Sequence, residues 1–399
     1  MAREPGNPFT GASPALVDLI GTLGVSLMTV FGPYTTAWAK VFSPRLVIAI
    51  GGLLFGVACI LASFGTALWH FELTQGVLLG IGTCLAYMPA VTVAPTWYDR
   101  RRGLAMGIIM AGTGVGGVVW APVTTSLIDH LGYRNALRVS GGITGALIIV
   151  ASIPIKWDPT TKIRLERESA QRRRRNEGLY RSLFVNIKLL DMEVAKSRVF
   201  VVQIIGTFLQ AAAYYTPVFF FSAYARSIGF STTAGANFIA LSNATNAIGK
   251  IVIGLIADRY GRWNTLFIVT FFSGISTFGL WLSSTLINDQ WTSQALFITY
   301  TALYGIFASP YVSLFPAGLV DLFGPANFAN VNGALYVARG FATLMGTPVA
   351  GALIREAGES LSPRAYWRPS VFVGALLLGS AGPVFYLGRF SRKRAQAVR

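Results

Sequence analysis

Two cations stand where a cation is costly. Lys250 lies about two turns inside an apolar stretch that ends at Asp258, and Arg339 lies about 15 Å into another that starts near Asn330. A charge at that depth needs a cavity or a partner, so each is a candidate binding residue. The alternatives are snorkelling of Lys250 to the nearer surface and bonding of Arg339 to backbone carbonyls. No carboxylate lies at equal depth, since Asp18, Asp129, Asp258 and Asp321 all sit at the ends of apolar stretches. Two unmatched cations imply an anionic ligand.

Uncharged polar residues extend the pattern. Gln203, Gln210 and Tyr214 share one helical face, and so do Asn243, Asn246 and Lys250. Tyr304 and Tyr311 form a similar pair beside Pro310. Such stripes line a cavity or join helices, and spacing alone leaves both readings open. Asp258, Arg259 and Arg262 close one stretch, and Arg100, Arg101 and Arg102 separate two others. These are the candidates for charge pairing that gates one end.

The elements that position these residues follow from composition. The chain has 399 residues, 53% hydrophobic and 12% charged, and its apolar stretches recur at bilayer-spanning length. An all-α polytopic membrane protein is the fold class this predicts. Spans are expected at 17–38, 46–64, 71–96, 104–128, 138–155, 198–225, 232–257, 264–285, 295–320, 330–354 and 368–389, eleven in all. They divide into an N-terminal bundle of five (1–155), a basic linker (156–197), and a C-terminal bundle of six with a basic tail (198–399).

The net charge of +17 does not point to nucleic acid, because the basic residues lie in connections and tails. With the Arg100–Arg102 turn in the cytoplasm, the opposite side holds only Arg3, Arg134, Arg138, Arg226, Arg355, Arg364 and Arg368. In the linker, Arg172, Arg173, Arg174 and Arg175 could meet anionic lipid, against the plainer reading of a solvated loop. Plasma membrane is the expected location, with the vacuolar membrane as the alternative.

Gly103, Gly107, Gly112, Gly114, Gly116 and Gly117 mark the 104–128 span as a packing helix. Three of them spell GxGxxG, but neither the preceding strand nor the βαβ unit of a nucleotide site is present. Cys59 and Cys84 fall inside spans and read as packing residues. No Ser-His-Asp, HExxH, CxxC or P-loop pattern occurs, so the sequence calls for no enzyme, cofactor or metal.

The halves repeat. Gly32–Arg45 aligns with Gly249–Arg262, while Gly107, Gly114 and Pro122 match Gly333, Gly340 and Pro348 at constant offset. Parallel repeats of this kind build one large transporter architecture. In the second half the aligned segment closes the second helix, but in the first half it closes the first. One N-terminal helix is therefore expected to be missing, which places the N-terminus outside.

Gly254, Asp258, Arg259, Gly261 and Arg262 resemble the GxxxDRxGR turn of the major facilitator superfamily. Trp97, Tyr98, Arg100, Arg101, Arg102, Leu104, Ala105, Gly107, Ala111 and Gly112 are similar to the monocarboxylate transporter family in its fungal form. The resemblance implies a two-bundle secondary transporter working by alternating access. Its animal members carry an Asp and an Arg where Asn246 and Lys250 stand, so substrate and proton coupling do not carry over directly. The expectation is a transporter of a small, monocarboxylate-like anion, with Lys250, Arg339, Asn246, Asn243, Gln210, Tyr214 and Tyr311 in its site. Efflux of a fungal secondary metabolite, and a regulatory chain without transport, are the alternatives.

Overall fold

The computed structural model describes residues 14–98, 100–174, 192–354 and 362–397. α1 (Pro14–Val30) and α2 (Gly32–Val41) cover the first predicted span, and α3 (Pro44–Ala62) the second. α4 (Leu68–Phe71), a π-helical stretch Glu72–Leu78 and α5 (Leu79–Val93) make the third. α6 (Arg102–Ser152) holds the fourth and fifth, and α7 (Pro159–Arg174) and α8 (Met192–Lys196) lie in the linker.

The second half begins with α9 (Arg198–Tyr214), α10 (Thr216–Ser227) and α11 (Thr232–Tyr260). α12 (Arg262–Ser276), a π-helical stretch Thr277–Leu282 and α13 (Ser283–Leu286) follow, then α14 (Gln290–Ala308), α15 (Pro310–Ala352) and α16 (Trp367–Ala397). Every predicted span thus falls on helix, and no strand occurs among the described residues.

Among the described residues eight helical stretches are long and apolar enough to cross a membrane, and Leu19–Val30 is a shorter apolar one. At 51 residues α6 extends about 76 Å, more than two bilayer thicknesses of about 30 Å. It breaks at Gly132, whose φ of 73° only glycine adopts readily, and α15 breaks the same way at Gly324 with φ 76°. The two arms of α6 are thus each long enough for a crossing, whereas the first arm of α15 continues α14 in the single apolar stretch Gln290–Pro325. Leu53, Val150 and Ile248 are exposed on spanning segments, as side chains facing lipid must be. The chain is a multi-pass, all-α membrane protein.

Two compact units emerge. One comprises Met1–Asp99, Thr124–Met192 and Phe323–Phe341, the other Arg100–Val123, Glu193–Leu322 and Ala342–Arg399. In the first unit, glycines bring backbones together. A Cβ on Gly51 would lie 2.6 Å from Ala86 N, and one on Gly52 would lie 2.9 Å from Gly145 O. The start of the linker is strapped down here: Arg45 Nε donates to Ile155 O at 3.1 Å, Trp97 Nε1 to Lys156 O at 2.9 Å and Trp157 Nε1 to Ala39 O at 3.3 Å. Asp158 then caps α7 through Thr161 N at 3.0 Å.

The second unit adds an aromatic core. Tyr224, Trp281, Phe297, Tyr300, Tyr304 and Tyr366 are buried with largely edge-to-face contacts, while Trp281 stacks on Tyr300 at 5.5 Å. Their polar ends are satisfied locally: the Tyr224 hydroxyl meets Ser284 Oγ at 2.6 Å, and Tyr304 donates to Tyr214 O at 2.9 Å. This core ties α10, the Thr277–Leu282 stretch, α13 and α14 together in the unit that carries Lys250.

Candidate functional site

The site grows from one helix crossing in the second unit. Gly103, Gly107, Gly114 and Gly117 recur on one face of α6, and each lies against α11. A Cβ on Gly103 would sit 2.8 Å from Gly254 O, and one on Gly114 would sit 2.9 Å from Ala247 N. Gly107 faces the Lys250 carbonyl and Gly117 the Asn243 side chain. The numbers run in opposite senses, so the helices cross antiparallel. Gly112 and Gly116 have nothing within 4 Å of an added Cβ, and they lie on the opposite face. The six-glycine pattern is therefore a four-residue packing stripe with two glycines outside it.

Lys250 uses this closeness. It is 2% exposed, and its ammonium donates to Met110 O at 3.1 Å and to Thr113 Oγ1 at 2.7 Å, both on α6. Met110 lies on the same face as the glycine stripe, and bulk at Gly107 or Gly114 would hold α11 too far away for the lysine to reach these acceptors. The charge neither snorkels to a surface nor meets a carboxylate in these bonds. One turn away on α11, Asn246 Oδ1 is buried without a hydrogen-bond partner among the described residues.

Below Lys250 the same crossing ends in a charge network. Asp258 accepts from Gly103 N and Leu104 N, each at 2.8 Å, and so caps the N-terminus of α6, where the helix dipole favours a carboxylate. Arg262 joins Asp258 Oδ1 at 3.3 Å to Asp321 Oδ1 at 2.6 Å, and Arg102 stands 3.6 Å from the same Asp321 oxygen. Three of the predicted gating residues, Asp258, Arg262 and Arg102, meet here. Arg100, Arg101 and Arg259 do not; they are exposed, and Arg259 lies over the Tyr260 ring at 5.7 Å.

The remaining candidates divide. Gln210 and Tyr214 are buried in α9, where the Tyr214 carbonyl anchors Tyr304. Gln203, also buried, bonds Thr207 within its own helix at 2.9 Å. Tyr311 is buried and stacks on Phe315 at 5.6 Å. Asn243 packs against Gly117 on the Lys250 face. The Gln203–Tyr214 stripe is buried on α9, while the Asn243–Lys250 stripe borders the buried cation.

Arg339 belongs to the first unit, is 4% exposed, and lies over the Tyr336 ring at 5.8 Å. Its helix arm meets α1 and α2 through Gly333 against Pro33 and Gly340 against Ser26, Thr29 and Val30. Lys40 Nζ donates to Asn330 Oδ1 at 3.1 Å in the same crossing. The sequence repeat makes this the counterpart of the α6–α11 crossing residue by residue. The register pairing Gly107 with Gly333 pairs Thr113 with Arg339, and the register pairing Gly249 with Gly32 pairs Lys250 with Pro33.

Three participants escape a reading of the sequence. Thr113 and the Met110 carbonyl carry no signal of their own. Asp321 carries one: it is the sole acidic residue of α15. Arg175 lies outside the described residues, as do the side chains of Arg172, Arg173 and Arg174. Among the described residues no group of three or more His, Cys, Asp or Glu could hold a metal ion.

Comparison with known proteins gives one answer at three ranges. A family model described as Major Facilitator Superfamily matches residues 7–303. An MFS-type transporter of Gibberella moniliformis is 25% identical over 381 residues, covering 96% of this chain and 84% of that protein. The agnestins efflux protein of Paecilomyces divaricatus is 27% identical, covering 87% and 71%. Human monocarboxylate transporter 12 is 28% identical, covering 84% and 66%. Among solved structures, a proton:xylose symporter superposes with a TM-score of 0.68 at 13% identity over 93% of this chain and 86% of that one, a likeness of fold.

Proposed function

The chain belongs to the major facilitator superfamily of membrane transporters, and from that premise we propose that it is a secondary transporter of a small, monocarboxylate-like organic anion. It works by alternating access between the halves defined by the repeat, 1–155 and 198–399. Lys250 carries the reading: an ammonium 2% exposed in an apolar helix, with only a hydroxyl and a carbonyl as its named acceptors. An anion offers that charge its best remaining partner, because a desolvated ammonium gains most from a negative acceptor.

Arg339, at the position that pairs with Thr113 in the repeat, is the first unit's own candidate for an anion contact. Asn246 and Asn243 border Lys250 on its own helix face and supply the polar edge of the site. Gln210, Tyr214 and Tyr311 form its buried support. The Asp258, Arg262, Asp321 and Arg102 network serves as the gate, since a cap shared with two ion pairs stabilises one arrangement of α6 and α11 and must break in another.

The agnestins efflux protein among the relatives favours a second reading, export of a larger fungal metabolite. Purified chain in proteoliposomes separates the two when labelled small organic acids are offered from inside and from outside. Saturable flux of a small carboxylate, abolished by Lys250→Ala in a variant that still inserts, is the expected result. No flux of any small acid in either direction would overturn it.

A further inference from the structure

An ammonium has three N–H donors, and the α6–α11 crossing takes two of them. Met110 O accepts one at 3.1 Å and Thr113 Oγ1 accepts another at 2.7 Å, the shorter bond going to the side chain. Both acceptors lie on the helix opposite Lys250. They reach it only because Gly107 and Gly114 keep the two backbones in contact. The lysine's tether to α6 is thus made of one fixed atom, the carbonyl, and one exchangeable atom, the hydroxyl.

We infer that Thr113 is the positioning residue for Lys250: its hydroxyl holds the ammonium across the crossing so that the third N–H stays available to an anion. This rests on the reading of Lys250 as the anion contact, and it adds the residue that sets when and where the charge is presented. The repeat supports the assignment. In the first unit the position paired with Thr113 is Arg339, and the position paired with Lys250 is Pro33, so the crossing that has lost the lysine carries its cation where the threonine would be. In each crossing one of the two paired positions holds a cation and the other an uncharged residue, in reciprocal order. Thr113 holds a charge in one crossing at the place where the other crossing keeps its charge.

The test compares Thr113→Val, which keeps the shape and removes the acceptor, with Thr113→Ser, which keeps the acceptor. The first readout needs no transported ligand. Purified protein is exposed to a small water-soluble acetylating reagent, and acetylation of Lys250 and of half-buried Lys40 is followed by peptide mass spectrometry. Lys250 is expected to react at least threefold faster in Thr113→Val, with Thr113→Ser and the Lys40 rate within twofold of the parent. Equal Lys250 rates in all three proteins would overturn the assignment. So would a parallel rise at Lys40, which would report general loosening.

The second readout is uptake of labelled pyruvate into proteoliposomes. Thr113→Val is expected to raise KM about tenfold with maximal flux within twofold, and Thr113→Ser to leave both unchanged. A serine variant as impaired as the valine variant would overturn the role of the hydroxyl. Normal pyruvate uptake by Lys250→Ala, together with faster acetylation in Thr113→Val, would remove the anion-contact reading while leaving Thr113 as the residue that holds Lys250.

Discussion

The two glycine-lined crossings are built to one register and carry opposite chemistry. In the second unit the cation rises from α11 and is bonded to α6, and the crossing ends in a carboxylate that caps the facing helix. In the first unit the cation rises from α15, and Val41 stands where the repeat would put Asp258. The contrast separates scaffold from function. Gly107, Gly114, Gly333 and Gly340 preserve the backbone approach in both, whereas the ionisable residues have moved freely around it. Among the described residues the second crossing combines a buried cation with a charged latch, and this is the ground for proposing α6 and α11 as the working pair.

The largest effect should come from closing that approach. Gly107→Leu drives a side chain into the Lys250 carbonyl and is expected to cost about 3 kcal/mol or more, at the upper end of overpacking. Gly116→Leu, on the open face of the same helix, should change stability by less than about 0.5 kcal/mol. Thermal unfolding of the two purified variants checks this, and equal losses would mean that the close approach of α6 and α11 does not set the cost, since leucine improves helix propensity at both positions.

The latch should come next. Asp258→Asn keeps an acceptor for the α6 cap but loses the charge facing Arg262, and about 1 to 3 kcal/mol of stability should go with it. Asp321→Asn should cost less, because Asp321 is the more exposed acid and caps no helix. Denaturation of both variants, with the double variant to measure their coupling through Arg262, sharpens the comparison. A larger loss at Asp321 would shift the centre of the latch to α15. The smallest effect belongs to Arg100→Gln and Arg101→Gln, exposed on the same turn, which should leave stability within about 0.5 kcal/mol.

The fold was legible because hydrocarbon imposes a length and excludes charge. The eleven apolar stretches, and the breaks between the paired spans of α6 and α15, follow from that rule together with glycine, which alone tolerates the positive φ at Gly132 and Gly324. The linker was less legible. Lys162 with Glu166 and Arg164 with Glu168 stand at helical spacing and form ion pairs in α7, yet its polarity alone reads as a solvated loop.

In the site, Lys250 announced itself by depth and Asp258 by its turn. Thr113 did not, because a threonine in an apolar helix ordinarily bonds its own backbone, as it also does here with Met110 O. Arg100, Arg101 and Arg102 are identical as letters, and only the fold buries the third beside Asp321. Gln210 and Tyr214 share a face, but cavity linings and helix contacts use such a face equally, and the bond from Tyr304 reaches only the Tyr214 carbonyl.

On this reading the Lys250 charge selects an anion. The most direct test compares proteoliposome flux of a labelled small carboxylate with that of its neutral amide, in the parent and in Lys250→Gln. A preference of about tenfold or more for the carboxylate is expected in the parent, falling to within about twofold in the variant as the amide flux stays unchanged. An undiminished preference in Lys250→Gln would contradict it.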